Sequence, residues 1–484
     1  MASQAGRTQA QLSELCRETA AILLLDNSAH WRLRANERID MRSANWCDRR
    51  KSIQALPLRE PLADLLEGVI DKGQTHVQLY LPVGSFPRSP SFDFSVTVDG
   101  EPAFLIEKSR QAHIQARHIA LLAKQAKVPM EDRRLLEEWL RSIVGFASSP
   151  WQDIRSHNAS IRLRNYLNEN RILGDQNGQI NKRTINNWLN AVDSVTKKVR
   201  SLVPSQIDSA AEYPLLALPE FRKAFSDEAK VTTCLESLTA FLNEVKQKAN
   251  QGDDAAAKLM GAYAASGIHW NAIVECTVPL DKSFLIETSE KRGLDLTAAK
   301  PWGRRYSKQP VVFRDARSNH VSILVTDTNV ELTPRKTSIF DEKGVSLKGV
   351  GPDFQHSTRE FMSFSDSGQR PEKIVVKLPL GASLPAAISR SAILTLTLTA
   401  LVAFVVFLFN WLGAGGDSQL SGQDVGVILV PTAIAASLLL VRETSTLSTE
   451  LNKGWVIATS SVLMMLWLGT LLAYGTNRIS WGVP

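Results

Sequence analysis

Apolar and polar positions change their spacing several times along this chain, and each change predicts an element. Residues 8–25 carry apolar positions at helical intervals and predict an amphipathic helix. From Arg49 onward the pattern turns to strands: HVQLYLPV at 76–83 is a continuous β-prone run, and FDFSVTV at 92–98 alternates apolar and polar residues. Asp99 and Gly100 follow, and after Glu101 comes PAFLIEK. Asp-Gly between two such runs predicts a hairpin, because both residues accept the positive φ that the tightest hairpin turns require.

Helical spacing takes over from about Arg110 to about Ala264. Leu135, Leu136, Trp139, Leu140, Ile143 and Val144 form one stripe, with Arg133 and Arg134 each four residues before Glu137 and Glu138. Val231, Cys234, Leu235, Leu238, Phe241, Leu242 and Val245 form a second stripe, which reads Cys234 as a buried apolar side chain. Strand patterns then return at 270–278, 283–288, 311–314, 320–327 and 372–380, separated by turn-forming Gly, Pro, Asp and Asn. The early strands alone would expose an apolar face, so one β unit interrupted by helices is preferred to two separate units. The predicted fold is α+β: a cytoplasmic antiparallel β-sandwich-like domain with a large helical insertion, followed by three C-terminal transmembrane helices. Its segments are 1–48 (helical), 49–108 (first β region), 109–266 (helical), 267–380 (second β region), 381–390 (linker) and 391–484 (transmembrane).

The C-terminal prediction rests on three runs, 391–412, 425–441 and 454–474, none of which contains Asp, Glu, Lys, Arg or His. Charge-free apolar runs of about 17 to 25 residues suit helices that cross a hydrocarbon core of about 30 Å. The middle run is the shortest and holds Pro431, so a shallow path is an alternative for it. Residues 413–424 lack Lys and Arg, whereas Arg390, Arg442 and Lys453 flank the other ends. The positive-inside rule then places the head, residues 1–390, in the cytoplasm and the C-terminus outside, with Arg478 as the dissenting charge. Trp411, Tyr474 and Trp455 fall at the expected interfaces. Thr395 and Thr399 on the first run, with Thr432 and Ser437 on the second, either pack helices or line a pathway. Packing is preferred, because ionisable residues are absent from the spans. The first 31 residues carry no proper signal-peptide apolar region, which again predicts a cytoplasmic head.

The chain has 56 Lys and Arg against 49 Asp and Glu, a formal charge of +7. The head holds 53 of those basic and 45 of those acidic residues, or +8. This is too mild for a dedicated nucleic-acid binder and adequate for attraction to an anionic inner leaflet. The four cysteines, Cys16, Cys47, Cys234 and Cys276, have no metal or redox spacing.

Leu173 to Thr184 matches the middle of a calcium loop at Asp175, Asn177, Gly178 and Ile180. Leu173 and Thr184 occupy the two ends where calcium needs carboxylates, so an Asn-Gly turn is the reading. His113 and His118 are five apart, not the four that would bring two imidazoles to one metal. No nucleophile elbow, phosphate loop or zinc-protease helix is present, and no metal, cofactor or catalytic residue is predicted. The one candidate binding stretch is basic and aromatic: Trp302, Arg304, Arg305, Tyr306, Lys308, Phe313, Arg314 and Arg317. Guanidiniums beside rings suit phosphates, lipid headgroups or nucleotides. Ligand or lipid contact is assigned to Arg304, Arg305, Tyr306, Lys308, Arg314 and Arg317. A lesser cluster is Arg49, Arg50 and Lys51.

FDFSVTVDGEPAFLIEKS and the strand-rich block leading into the apolar tail resemble uncharacterised multi-pass membrane proteins of high-GC bacteria. The resemblance implies a bacterial inner membrane and no activity. The expected function is a non-enzymatic, membrane-anchored ligand- or partner-binding head, a sensor or adaptor. Its expected partners are membrane lipids, an anionic small molecule or a protein, and further copies of itself. An oligomeric pore and a membrane-tethered hydrolase with a dispersed site are the alternatives.

Overall fold

A computed structural model describes residues 9–67, 73–87, 91–129, 228–294, 296–298, 305–312, 315–332, 338–340, 346, 353–357, 360–366, 373–413, 420–440, 447–475 and 479–480. The stripe at 135–144, the loop at 173–184 and residues Trp302, Arg304, Phe313 and Arg314 lie outside them.

The fold is α+β, built on a large curled mixed sheet. Its strands are β1 (Gln9–Gln11), β2 (Arg32–Met41), β3 (Trp46–Ala55), β4 (His76–Pro87), β5 (Ser91–Val98), β6 (Glu101–Leu105), β7 (His269–Pro279), β8 (Phe284–Gly293), β11 (Ser318–Val325), β14 (Asp353–His356) and β15 (Glu360–Asp366). They run in the order β1-β4-β7-β6-β5-β8-β3-β2-β11-β15-β14. A second sheet orders β12 (Val330–Leu332), β16 (Lys373–Ala382), β10 (Arg305–Val312) and β9 (Leu296–Ala298), and β13 (Ser338–Phe340) also pairs with β16. Strands from before and after the helical region therefore share one sheet. The pairing is not purely antiparallel as expected, because β1 pairs with β4 and β2 with β11 in parallel. The β5–β6 hairpin forms at the predicted place, with Asp99 at φ 52° and Gly100 at φ 81°.

Helix α1 (Glu14–Asp26) starts where the Ser13 hydroxyl accepts from the Cys16 N–H, at 3.3 Å. A short turn, α2 (Ser28–Trp31), leads into β2, and a second one, α3 (Ala63–Leu66), follows β3. Helix α1 packs with α4 (Lys108–Gln125), which in turn meets α6 (Asp254–Ile268), the partner of α5 (Glu228–Asn250). On α5 the predicted stripe is buried at Leu238, Phe241, Leu242 and Val245; the side chains of Val231, Cys234 and Leu235 lie outside the description.

Two apolar clusters hold the head. The first joins Leu24, Trp31, Ile53, Leu79, Leu81, Val274 and Ile286. The second joins Ile39, Met41, Val321 and Ile323 of the large sheet to Val311, Ile374, Val376 and Leu378 of the second sheet. Each buried aliphatic side chain contributes about 1.5–3 kcal/mol. Sequence reading placed the first strands from Arg49 onward and kept 1–48 helical, whereas β2 begins at Arg32. Its alternation is hidden because inward positions of β2 and β3 carry Glu37, Arg49 and Lys51 beside Ile39 and Ile53.

Three apolar helices close the chain: α7 (Leu384–Gly413), α8 (Gly422–Leu440) and α9 (Leu447–Gly475). Two of them are long and apolar enough to cross a membrane, over Ala386–Val406 and Lys453–Leu472. This corrects the expectation of three. The apolar part of α8 is the shorter Ile428–Ser437, because Gln423 and Asp424 open the helix. Large side chains such as Leu398, Val402 and Phe409 of α7, and Met464, Met465 and Leu472 of α9, are exposed. Beyond α7 and α9, β17 (Leu420–Ser421) pairs with β18 (Ile479–Ser480).

Candidate functional site

The candidate site lies where the head meets the first turns of α7 and α9. Strand β16 ends at Ala382 and α7 begins two residues later, so the second sheet runs directly into an apolar helix. The turn between β11 and β12 grips both helices. Its Asn329 carbonyl accepts from the Ser383 N–H at 2.9 Å, and the Ser383 carbonyl accepts from Ala387 N–H at 2.8 Å inside α7. Its Asp327 Oδ2 accepts from the Ser448 N–H of α9 at 2.8 Å, while Oδ1 accepts from the Asn329 N–H at 2.9 Å. A carboxylate there meets both an unsatisfied N–H and the positive end of the helix dipole. Leu447 is fully buried within the head's second cluster, and Leu451 packs against that cluster one turn later. The head thus holds the start of α9 by an apolar anchor and a cap together.

The sequence-predicted stretch is divided by this geometry. Arg305 Nη1 lies 3.1 Å from Glu450 Oε1 of α9, and Lys453 Nζ lies 3.6 Å from Oε2 of the same carboxylate. Arg305 therefore serves the junction. Tyr306 and Lys308 stand on β10, opposite Pro379 and Lys377 of β16. The Lys377 ammonium sits 4.0 Å from the Tyr306 ring centroid and that of Lys308 5.8 Å away. Two cations directly opposite each other on paired strands repel; the ring's negative face offsets part of this, and an anion would offset more. Arg317 is elsewhere: its Nε and Nη2 donate to the carbonyls of Ala29 and His30, at 3.1 and 3.2 Å, and so brace the corner before β2. Of the six predicted residues, Tyr306 and Lys308 come together beside Lys377, Arg305 turns to Glu450 of α9 instead, Arg317 lies elsewhere, and Arg304 and Arg314 lie outside the described residues.

Sequence reasoning missed Lys377, Asp327, Leu447 and Glu450. The signals were present: Lys377 interrupts the apolar alternation of KIVVKLPL, and the Asp327–Asn329 turn is a short polar break between strands. What the sequence withholds is that strands β10 and β16 are neighbours.

Below the junction, the Arg390 guanidinium lies 5.3 Å from the Trp455 ring centroid, linking α7 to α9. Ile393, Ala435 and Leu463 bring the three helices into one cluster. The buried hydroxyls of Thr397, Thr432, Thr459 and Thr470 each donate to the carbonyl four residues earlier, at 2.7–2.9 Å. Thr399, on an exposed face, does the same to Thr395. Hydroxyls spent on their own helix pack rather than solvate a path. Gly469 allows a close approach of α9 to α7, since a Cβ there would lie 2.6 Å from the Phe404 ring.

Among the described residues no group of three or more His, Cys, Asp or Glu is arranged to hold a metal ion. No protein-family model, curated protein or solved structure matches the chain.

Proposed function

We propose that the chain is a membrane-anchored, non-enzymatic binding protein whose head senses a ligand or partner and passes that state to the bilayer helices. The observation that carries this reading is the turn at 327–329, which holds the first turns of α7 and α9 at once. Such a joint leaves little slack, so strain in the head reaches both helices.

In this reading the head lies on the cytoplasmic side of a bacterial inner membrane, with α7 and α9 both leaving it in the same direction. The chain must then return between them. Helix α8 makes that return, packed against both α7 and α9. The β17–β18 pair marks the far side, where the C-terminus emerges. The two sheets of the head act as a sandwich around Ile39, Ile323, Val376 and Leu378. Self-satisfied threonines favour packing over conduction for the helices, which weighs against a pore.

Tyr306, Lys308 and Lys377, on the two inner strands of the second sheet, meet anionic lipid headgroups or an anionic ligand. Hydrogen exchange of the full chain in nanodiscs tests this. The β10 and β16 amides are expected to exchange more slowly with anionic lipid than with zwitterionic lipid alone, and Lys308→Ala with Lys377→Ala to abolish the difference. Equal exchange in both lipids for the wild-type chain would refute the contact.

A further inference from the structure

The inner face of β2, β3 and β8 carries a band of charge between the two apolar clusters. Along β3, Cys47 belongs to the second cluster and Ile53 to the first; between them Arg49 and Lys51 also point inward. Along β8, Thr288, Glu290 and Arg292 are buried between Ile286 and Leu294. The strand register places Arg49 opposite Glu290, Cys47 opposite Arg292 and Lys51 opposite Glu37.

The charges alternate along a continuous path. Arg32 Nη1 lies 3.5 Å from Asp315 Oδ1, and Lys51 also donates to Asp315. Glu37 lies across from Lys51 and accepts from Arg49 Nη2, which donates to the Pro310 carbonyl as well, at 2.8 Å. Glu290 lies across from Arg49 and pairs with Arg292 Nη2 at 2.8 Å. Among the described residues of this path, four cations face three carboxylates, one positive charge in excess, and the path ends on an arginine.

The side chains of Arg49 and Arg292 are 4% and 3% exposed, yet Nε and Nη1 of both have no hydrogen-bond acceptor among the described residues. These four N–H-bearing atoms belong to guanidiniums on adjacent strands. Burial lowers the Arg292 pKa below its ordinary value, and the Arg49 charge adds to that effect against the pull of Glu290. For Arg49 burial acts in the same direction, but Glu37 and Glu290 outweigh it and the pKa is raised. Buried donors without acceptors cost free energy, and an unpaired buried charge costs more. A water molecule supplies an acceptor but no charge. An anion supplies both, and guanidinium forks match the oxygens of phosphate, sulfate and carboxylate groups.

We propose that Arg49 and Arg292 clamp one small oxyanion between the two cores of the head. The site is separate from the Tyr306–Lys308–Lys377 surface and does not depend on the membrane reading. Full burial of the donors limits the ligand to the size of phosphate, sulfate or a carboxylate group.

The test is thermal unfolding of the full chain in detergent with added phosphate, sulfate or acetate, at ionic strength fixed by potassium chloride. At least one of the three is expected to raise Tm steadily above a saturation threshold; which one responds identifies the class. Arg292→Met is expected to lose the response, and Arg49→Lys to weaken apparent affinity roughly tenfold, because lysine lacks the fork. Lys308→Ala with Lys377→Ala is expected to keep it, which separates this site from the surface patch. A wild-type Tm indifferent to all three anions, or an undiminished response in Arg292→Met, would overturn the clamp. Should neither arginine variant fold, equilibrium dialysis of the wild-type chain with each labelled anion decides. Retention near one anion per chain supports the site; none for any of them, signifying water alone, overturns it.

Discussion

Asp26 shows how single residues tie the helical layer together. At the end of α1 it faces three neighbours: His118 of α4 at 3.6 Å, Gln125 of α4 at 3.1 Å and Lys258 of α6 at 2.6 Å. Its pKa lies well below the ordinary carboxylate range. The His118 imidazole is the largest cause, burial opposes it, and Lys258 and Gln125 add to the lowering. A carboxyl depressed on folding stabilises the native state above its unfolded pKa of about 3.9 and loses that contribution as pH falls toward the folded value. Asp26→Asn is therefore expected to lower Tm at neutral pH and to flatten its decline below about pH 4. Parallel Tm curves for the two proteins across the acid range up to neutrality would show that the carboxylate contributes nothing. In the sequence His118 stands out only by its spacing of five from His113, which does not suit a shared metal. The charge beside it belongs to a residue 92 positions away and has no local signature.

Elements were legible where apolar positions alternate with polar ones or, as at 76–83, form a continuous β-prone run. β4, β5, β7, β8 and β11 follow the predicted runs, and the β5–β6 turn sits on Asp99 and Gly100, because these signals are local. β2 was hidden, and β3 was not marked out as a run of its own within 49–108, for a physical reason. Their inward positions carry Glu37, Arg49 and Lys51, which only partners on other strands make tolerable in the interior. Arg49 is also one half of the proposed oxyanion clamp, so the segment that misleads a reading by periodicity is the one with chemistry of its own. Among the helices, Thr395 and Thr399 drew attention by spacing, yet Thr397 is the buried one. Rotation of a uniformly apolar helix is set by its neighbours and cannot be read from its own pattern. Gly469 is the clearest consequence. Gly469→Leu must displace the Phe404 ring, and overpacking of this kind costs about 1–3 kcal/mol. The variant is expected to separate α7 from α9 and lower the Tm of the detergent-solubilised chain. An unchanged Tm would show that the helices do not meet there, as would failure to crosslink when Phe404→Cys and Gly469→Cys are combined in a chain whose native cysteines have been replaced.

For the whole molecule the central feature is continuity between head and helices. β16 becomes α7, the first turn of α9 is buried in the head's second cluster, and one turn at 327–329 holds both. None of this was visible as a motif, because it arises from residues far apart in the chain. The apolar runs themselves were visible, since a helix exposed to hydrocarbon needs no partner to declare itself. The measurement that tests the account most directly is labelling of a Ser418→Cys variant with a membrane-impermeant maleimide in intact and lysed cells. Position 418 is expected to label in intact cells, while the head's own Cys16 labels only after lysis. Protection of position 418 in intact cells, or labelling of Cys16 there, would contradict a cytoplasmic head held on crossing helices.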